Sequence, residues 1–432
     1  MMSAAVHYVV LFSLSLASPD ARLVGICTRL LPRIQGQIDY SVERLKMGNS
    51  NVLHSVTRKR PEDGIAVDRF LVREFGKAST LALDRDEENA VFARLAECEV
   101  APPLISTFDG GRIEGWLNGA PCSNTECRTP TVYTAVAREL ARLHSFPTES
   151  LVSKLPPSDY CWGWATAATW LEGARECERL LKQSQGMEDV DPSLIARVRA
   201  IDLDRIELGL SDLRGHLERH PGLGNRCYCH NDLSNTNVHR DAASGTTRII
   251  DFEFGGINLR GFDLATHLSH WAGGAVDGRY NHSAFPSVTE RTAFLTSYAE
   301  AAAAASDGDE AVDGLVAQLL AETRFAAPLA HCVWGLWALC ALPDAMASGA
   351  GGGRFSHIEY AERRLAAFEH SLPDAMSAQC GATSVPRPRP VRAARPPTNK
   401  NKDKRTSTAR RGVSDMFRPD RLGSGFTEGT RW

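Results

Sequence analysis

The sequence His230-Asn-Asp-Leu-Ser-Asn-Thr-Asn237 is followed after twelve residues by Ile250-Asp-Phe-Glu253, and these two motifs are the most informative part of the chain. Asp232 and Asn237 lie five positions apart in a predicted loop, and Asp251 ends a nearby predicted strand. Phosphoryl transfer needs a carboxylate that orients the attacking hydroxyl, and hard oxygen ligands that hold magnesium on the phosphates. Asp232 suits the first role, whereas Asn237 and Asp251 suit the second. Each residue alone is more often a turn former, but their order and joint spacing indicate phosphoryl transfer.

Composition bounds the class of protein. The 432 residues are 43% hydrophobic and 23% charged, enough to bury a full core in one bilobal domain or two ordinary ones. Lys and Arg total 49 against 52 Asp and Glu, so no global basic field is available for sequence-specific nucleic acid binding. Eleven scattered cysteines without a C-x-x-C pair favour reduced thiols and a cytoplasmic location.

Hydrophobic periodicity predicts a small strand-containing part that precedes a larger helical one. The predicted elements are a strand at 69–75, helices at 86–96 and 131–144, helical segments at 158–215 and 291–370 with a break at 348–354, and strand-like runs at 227–238 and 247–254. Acidic residues in the first turn of the 86–96 segment are typical of a helix start.

The chain divides into four predicted segments. They are an N-terminal extension with a first helix at 1–39, an N-lobe at 40–118, a helical C-lobe at 119–380 and a basic disordered tail at 381–432. Residues 383–432 hold thirteen Lys or Arg and four Asp or Glu. Such a composition favours a solvated appendage, with weak contact to an acidic membrane or another acidic partner as the alternative.

The motifs resemble those of the choline/ethanolamine kinase family, small-molecule kinases with the fold of protein kinases. The resemblance spans roughly residues 40–370. Beside the two motifs above, it rests on Phe254, Asn258, Arg260-Gly-Phe-Asp263, His267 and Trp271, on Leu71-Val-Arg-Glu-Phe-Gly76 and Asp84-Arg-Asp-Glu-Glu88, and on Trp334-Gly-Leu-Trp337 with Tyr360. The two N-terminal motifs look most like the ethanolamine branch. The resemblance implies an α+β, protein-kinase-like bilobal fold with ATP and Mg²⁺ as cofactors.

Carried over residue by residue, the resemblance makes Asp232 the catalytic base and Asn237 and Asp251 the magnesium ligands. On the ATP side it implies a phosphate-clamping role for Arg73, oriented by Glu88, with a solvated strand charge as the alternative. The remaining ATP-side candidates are Asn51 beside a phosphate-covering turn, and Glu114 and Trp116 in the connection between the lobes.

The acceptor side decides which alcohol is phosphorylated, because a quaternary ammonium uses an aromatic cage and a primary ammonium uses hydrogen-bond acceptors. The candidate acceptor residues are Glu253, His270, Trp271, Trp334, Trp337 and Tyr360. The remaining motif residues, His230, Asn258, Arg260, Asp263 and His267, are candidates for structural support.

Four positions depart from the family pattern. Phe254 and Ala275 replace aromatic cage residues, and this thinner cage favours ethanolamine over choline. His270 stands where the family has a Glu near the substrate cation, and Thr266 replaces an Asn. A neutral imidazole accepts a hydrogen bond but supplies no Coulomb attraction to a cation.

The leading hypothesis is an ATP- and magnesium-dependent ethanolamine kinase that makes phosphoethanolamine for phosphatidylethanolamine synthesis. The expected partners are a small amino alcohol and ATP. The alternatives are a choline or dual choline/ethanolamine kinase, another small-molecule kinase of the aminoglycoside-phosphotransferase type, and a nucleotide-binding pseudokinase or adaptor. A protein kinase is less favoured, since the triplet at 251–253 reads Asp-Phe-Glu and the Gly-rich phosphate loop is absent from the sequence.

Overall fold

The computed structural model describes residues 19–45, 51–76, 84–152, 156–183, 191–305, 312–347 and 355–379. The predicted tail at 381–432, the predicted break at 348–354, and residues 48–50 of the predicted phosphate-covering turn lie outside these ranges.

Strands dominate the first part of the chain and helices the remainder. The helices are α1 (Pro19–Leu30), α2 (Arg85–Glu97), α3 (Asn124–Cys127), α4 (Pro130–Ser145), α5 (Thr148–Leu151), α6 (Trp162–Gln183), α7 (Pro192–Arg199), α8 (Leu203–Arg219), α9 (Arg260–His270), α10 (Val288–Ala305), α11 (Val312–Ala347) and α12 (His357–Ala375). The strands are β1 (Asp39–Arg44), β2 (Asn51–Lys59), β3 (Ala66–Phe75), β4 (Leu104–Phe108), β5 (Gly111–Gly115), β6 (Ala120–Pro121), β7 (Arg226–Cys229), β8 (Val238–Arg240), β9 (Thr247–Ile249) and β10 (Gly256–Leu259). A small sheet lobe followed by a larger helical lobe confirms the predicted bilobal α+β fold.

The N-terminal lobe is an antiparallel sheet in the order β1-β2-β3-β5-β4. Side chains alternate between the faces of a strand, so Phe70 and Val72 of β3 point one way and Arg73 points the other. Phe70 and Val72 pack in a buried cluster with Leu23 and Cys27 of α1. The first helix is therefore part of the sheet lobe core, and Arg73 is left to face the helical lobe.

Helix α2 starts one residue earlier than predicted and ends one residue later. The side chain of Asp84 caps it by accepting from the backbone N–H groups of Asp86 at 3.1 Å and Glu87 at 3.0 Å. Its buried face carries Val91, Phe92 and Leu95, which join the core of the helical lobe. This packing sets α2 beside the sheet with its first turn close to the cleft between the lobes.

The long helix α11 is the central element of the helical lobe, with α6, α9 and α12 packed around it. It is apolar enough to span a bilayer by length and composition, but 78% of its most apolar window is buried within the protein. That burial is what a core helix of a folded domain shows, since its apolar residues are covered on all sides by other helices.

The predicted strand at 227–238 is wrong beyond Cys229. Strand β7 stops there because Asn231 has a positive φ of 68°, which no strand accommodates. Likewise β9 ends at Ile249, and Asp251 has a φ of 71°. In both places the strand ends before a motif residue, which therefore lies in a loop. There side chains, and not a neighbouring strand, supply hydrogen-bond partners for the backbone.

Candidate active site

The motif loop leaves β7, which is paired with β10, and is anchored by one carboxylate. Asp263 of α9 accepts hydrogen bonds from the backbone N–H groups of His230 and Asn231, each at 2.6 Å. It also lies 3.1 Å from Nε2 of His144, whose Nδ1 is 2.9 Å from the Tyr298 hydroxyl. These contacts satisfy a buried carboxylate and fix the start of the loop.

An amide pair stabilises the left-handed conformation of Asn231. Its Oδ1 accepts from Nδ2 of Asn258 at 2.8 Å, and its Nδ2 donates to the Phe254 carbonyl at 2.8 Å. Oδ1 of Asn258 in turn accepts from the backbone N–H of Gly163 at 3.1 Å. Two loops and helix α6 are thus joined through two side chains that are fully buried.

His230 joins the two motif loops to each other. Its Nδ1 accepts from the backbone N–H of Asp232 at 3.2 Å, so the proton is on Nε2, which donates to the Ile250 carbonyl at 2.8 Å. The backbone N–H of Ile250 donates to the Asn237 carbonyl at 2.9 Å. The residue that follows, Asp251, therefore lies beside Asn237.

The structure brings together Asp232, Asn237 and Asp251. Nδ2 of Asn237 donates to the Asp232 carbonyl at 2.8 Å and to its Oδ2 at 3.2 Å. Burial raises the pKa of Asp232 well above its usual value, and the charges of Asp251 and Glu253 raise it further. Because the amide nitrogen of Asn237 faces Asp232, its Oδ1 is the atom available to a cation. This amide oxygen and the Asp251 carboxylate are hard oxygen donors of the kind that Mg²⁺ prefers, so the residues fit such an ion.

Arg73 connects the sheet lobe to this loop. Its Nη1 donates to Oδ1 of Asp251 at 2.8 Å and its Nε donates to Oε1 of Glu114 at 2.9 Å. Burial opposes the charge on Arg73, but the charges of Asp251 and Glu114 outweigh it and raise the pKa. The alternative of a solvated strand charge is wrong, since only 5% of this side chain is exposed.

Glu88 does not orient Arg73, contrary to the sequence-based expectation. Oε1 of Glu88 accepts from Nη1 of Arg112 at 2.7 Å, and its Oε2 accepts from Arg85 at 2.5 Å. Glu114 takes the expected place instead, because it follows Arg112 by two residues on β5 and lies between Arg73 and Arg112. Glu114, predicted on the ATP side, accepts from both Arg73 and Arg112, and its contact with ATP stays a prediction.

Two further predicted site residues, Glu253 and Asn51, lie at the boundary between the lobes, where their contacts with substrate and ATP stay predictions. Oε2 of Glu253, a predicted acceptor contact, accepts from Nδ2 of Asn51 at 3.0 Å and lies 3.5 Å from Nη1 of Arg85. Asn51, predicted on the ATP side, is thereby tied to the helical lobe. The side chain of Trp116 makes a cation–π contact with Arg69, whose Cζ lies 3.7 Å from the ring centroid.

Aromatic side chains form a continuous wall on the acceptor side. Ring centroids are separated by 5.3 Å between Phe254 and Trp334, by 5.9 Å between Trp334 and Trp337, and by 6.4 Å between Trp337 and Tyr360. Trp170 extends this wall behind Trp334 at 5.8 Å. Three of the predicted acceptor residues are therefore brought together.

Trp271 belongs to the core and not to that wall, which corrects its predicted acceptor role. Its ring packs on Phe294 at 5.9 Å and on Tyr133 at 6.0 Å, and its Nε1 donates to Nε2 of His267 at 3.2 Å. Nδ1 of His267 donates to the Leu233 carbonyl at 3.3 Å. Burial lowers the pKa of His267 to about 4, so the ring is neutral.

Arg260 makes the contact predicted for structural support. Its Nε and Nη2 donate to the two carboxylate oxygens of Glu322 at 2.8 and 2.7 Å. A bidentate pair of this kind fixes the start of α9 on α11.

Sequence reasoning missed Arg112 and Arg364. Arg112 lies directly opposite Arg73 in the β3–β5 register, a like-charge pair that only the strand order reveals. Its spacing of two from Glu114 on one strand was the available signal. Arg364, fully buried on α12, has no local signal, because its hydrogen-bond partners come from two distant segments, α9 and α11.

Comparison with known proteins agrees with this geometry. The model of the choline/ethanolamine kinase family matches residues 42–369. The chain belongs to this family. It is 25% identical over 340 residues to a probable choline kinase of Arabidopsis thaliana, covering 78% of this chain and 88% of the relative. It is 23% identical over 327 residues to a probable ethanolamine kinase of Dictyostelium discoideum, covering 76% and 84%. Both substrate names therefore occur among the relatives.

Solved structures agree on the fold. An ethanolamine kinase of Plasmodium vivax superposes with a TM-score of 0.61 at 21% identity, covering 79% of this chain and 85% of that one. A choline kinase of Cryptosporidium parvum superposes with a TM-score of 0.62 at 19% identity, covering 83% and 97%. The protein-kinase-like bilobal fold is confirmed, and membership of this kinase family implies phosphoryl transfer from ATP to a small molecule.

Proposed function

We propose that this protein transfers the γ-phosphoryl group of ATP to the hydroxyl of ethanolamine, giving phosphoethanolamine and ADP. The observation that carries the proposal is the convergence of Asp232, Asn237 and Asp251, with Arg73 bound to the last of them. A base, two oxygen ligands and a buried cation at one place are the parts that phosphoryl transfer uses.

In the proposed reaction Asp232 accepts the hydroxyl proton. The hydroxyl oxygen forms a bond to the γ-phosphorus, and the bond from that phosphorus to the bridging oxygen of ADP breaks. Asn237 holds the Asp232 side chain in place through its amide nitrogen. Arg73 supplies a permanent positive charge on the phosphate side, since a guanidinium stays protonated.

We further propose that Asn237 and Asp251 hold Mg²⁺ through their side-chain oxygens. When bound, the ion neutralises charge on the phosphate oxygens. The positive charge of the ion would also offset the negative charge of Asp251, which otherwise raises the pKa of Asp232. The proposal thus predicts that Asp232 ionises more readily in the loaded enzyme.

Ethanolamine is the favoured acceptor because two positions of the aromatic cage differ from those of the choline branch. Phe254 offers no hydroxyl, and Ala275 offers no ring. Choline is the second candidate, and the wall itself favours it, since Trp334, Trp337 and Tyr360 supply faces of the kind that bind quaternary ammonium groups. The proposal places the reaction in the cytoplasm, in keeping with the scattered cysteines.

Steady-state assays on the full chain test the proposal. ADP release is measured at fixed ATP and MgCl₂ with ethanolamine, its N-methylated derivatives and choline. We expect the highest kcat/KM with ethanolamine and no turnover when EDTA removes the metal. A higher kcat/KM with choline would replace ethanolamine by choline, and turnover with neither would reject the proposed substrates.

A further inference from the structure

A fully buried arginine lies on the acceptor side without an acidic partner. Arg364 is 0% exposed, and its Nη1 and Nη2 donate to Ser269 Oγ at 2.9 Å and to the Ala330 carbonyl at 3.1 Å. In the described parts of the chain its Nε has no hydrogen-bond partner, and neither of the two hydrogen bonds of the guanidinium goes to a carboxylate. Burying an uncompensated guanidinium is costly, because its charge loses the solvation of water. The charge of Arg364 acts on the candidate base Asp232, whose pKa it lowers, but no carboxylate is hydrogen-bonded to the guanidinium. A counter-charge in contact with Arg364 is therefore missing.

Further buried polar groups without partners surround the guanidinium. Neither ring nitrogen of His270 nor the hydroxyl of Tyr280 has a hydrogen-bond partner within the described residues, although only 2% and 1% of these residues are exposed. The Tyr280 ring centroid lies 5.3 Å from Cζ of Arg364, and that of Tyr360 lies 5.5 Å away. Buried polar groups are normally paired, so several unpaired ones together point to a ligand.

The chemistry of these groups selects the kind of ligand. Burial keeps His270 neutral by lowering its pKa, and the charge of Arg364 adds to this effect, so the imidazole carries one N–H. The phenol of Tyr280 donates as well. A cation plus neutral donors attracts an anion and repels an ammonium group. The planar guanidinium matches the two oxygens of a carboxylate.

We propose that Arg364, His270 and Tyr280 form a carboxylate-binding pocket on the acceptor side of the site. The carboxylate comes either from the acceptor alcohol itself, as in serine, which is ethanolamine with one carboxylate added, or from a small free acid bound beside ethanolamine. This inference deepens the proposed function, and the role of the pocket in turnover rests on that proposed function.

The first test measures binding without turnover. The melting temperature of the full chain is followed during titration with acetate and, separately, with L-serine, at constant ionic strength held with chloride. We expect a saturable rise with either carboxylate, since a ligand that binds only the folded state stabilises it. The rise is expected to vanish in His270→Glu, in which the new acid pairs with Arg364, and in Arg364→Gln. It is expected to persist in Arg205→Gln, which removes an exposed arginine on α8.

The second test separates the two sources of the carboxylate. Turnover of serine that exceeds turnover of ethanolamine assigns the carboxylate to the acceptor. Stimulation of ethanolamine turnover by acetate assigns it to a free acid. In His270→Glu, acetate stimulation is lost and the KM for ethanolamine falls by roughly tenfold or more, because a charged hydrogen-bond partner for the ammonium has been supplied.

The pocket is rejected if neither acetate nor serine raises the melting temperature of the wild-type protein. It is also rejected if chloride raises it equally, or if His270→Glu responds as the wild type does. Carboxylate binding that depends on His270, found together with no turnover of any acceptor, would support the pocket while rejecting the proposed function.

Discussion

Oδ1 of Asp251 accepts a hydrogen bond from Nη1 of Arg73 at 2.8 Å, which joins the helical lobe to the sheet lobe at the candidate metal ligand. Two residues later, Glu253 accepts from Asn51 at 3.0 Å. Both acids of one short motif thus contact the sheet lobe. The motif sets the relative position of the lobes as well as supplying a candidate ligand.

Asp232→Asn tests the assignment of the base. The amide retains the shape of the side chain but cannot accept a proton as a base, so kcat is expected to fall by about 10² to 10⁴-fold. Steady-state ADP release gives kcat, and calorimetry is expected to show unchanged ATP affinity. Asp204→Asn, at an exposed position on α8, is the matched control and should leave kcat unchanged. A kcat close to that of the wild type in Asp232→Asn would remove this residue from the proposed chemistry.

Glu114→Gln tests the buried charge network of the sheet lobe. The carboxylate separates Arg73 from Arg112, which face each other across β3 and β5. Removing its charge takes away the one carboxylate that both buried arginines share and leaves each with a single acid, Asp251 for Arg73 and Glu88 for Arg112. The free energy of unfolding should therefore fall by about 3 kcal/mol or more. Urea unfolding measures the change.

An exposed glutamate provides the control for that measurement. Glu207 pairs with Arg175 on the surface, and Glu207→Gln should change the free energy of unfolding by less than about 0.5 kcal/mol. Equal losses in Glu114→Gln and Glu207→Gln would show that the buried network contributes no more than a surface pair.

The pH dependence of turnover reports the surroundings of Asp232. Burial raises its pKa, and the charge of Glu253 raises it further, whereas Mg²⁺ held by Asp251 would offset the charge of that residue during turnover. Since a base acts in its ionised form, kcat/KM for the acceptor should rise with pH through this raised pKa. Glu253→Gln removes one of the repelling charges, so the acidic limb of the profile should move to lower pH. A limb that stays in place, or moves to higher pH, contradicts the predicted coupling between these two carboxylates.

His267 should make stability depend on pH. Burial lowers its pKa from 6.5 to about 4, so the unfolded chain binds the proton more readily than the folded one. Stability is therefore full above about pH 6.5 and is lost as the pH falls toward 4, by about 3 kcal/mol from this residue. Urea unfolding between pH 4 and pH 7.5 measures the loss. In His267→Gln, which does not titrate, the dependence should be smaller by this amount, and an unchanged dependence would assign it to other groups.

Local sequence predicted several elements and the approach of the three motif residues to one another. The helix at 86–96 is observed at Arg85–Glu97 because its cap, its acidic first turn and its apolar face all lie within fourteen residues. The constellation of Asp232, Asn237 and Asp251 was predictable because the motif sets the first two five positions apart and a short hairpin returns the chain to the third.

The hydrophobic periodicity predicted too long a strand where side chains, and not a neighbouring strand, bind the backbone. The run at 227–238 has the composition of a strand, but Asp263, more than thirty residues downstream, binds the backbone of His230 and Asn231 and stops β7. No window of twelve residues contains that interaction.

The residue types of the candidate base and candidate ligands could be identified from the amino-acid sequence alone, because they come from two motifs close together along the chain. Which charged side chains contact one another depends on the packing of distant segments. Strand order made Glu114, and not Glu88, the partner of Arg73, and the packing of α9, α11 and α12 left Arg364 buried beside His270 without an acid. Such pairings depend on contacts between distant segments, and a buried charge is compensated by whatever the fold places next to it.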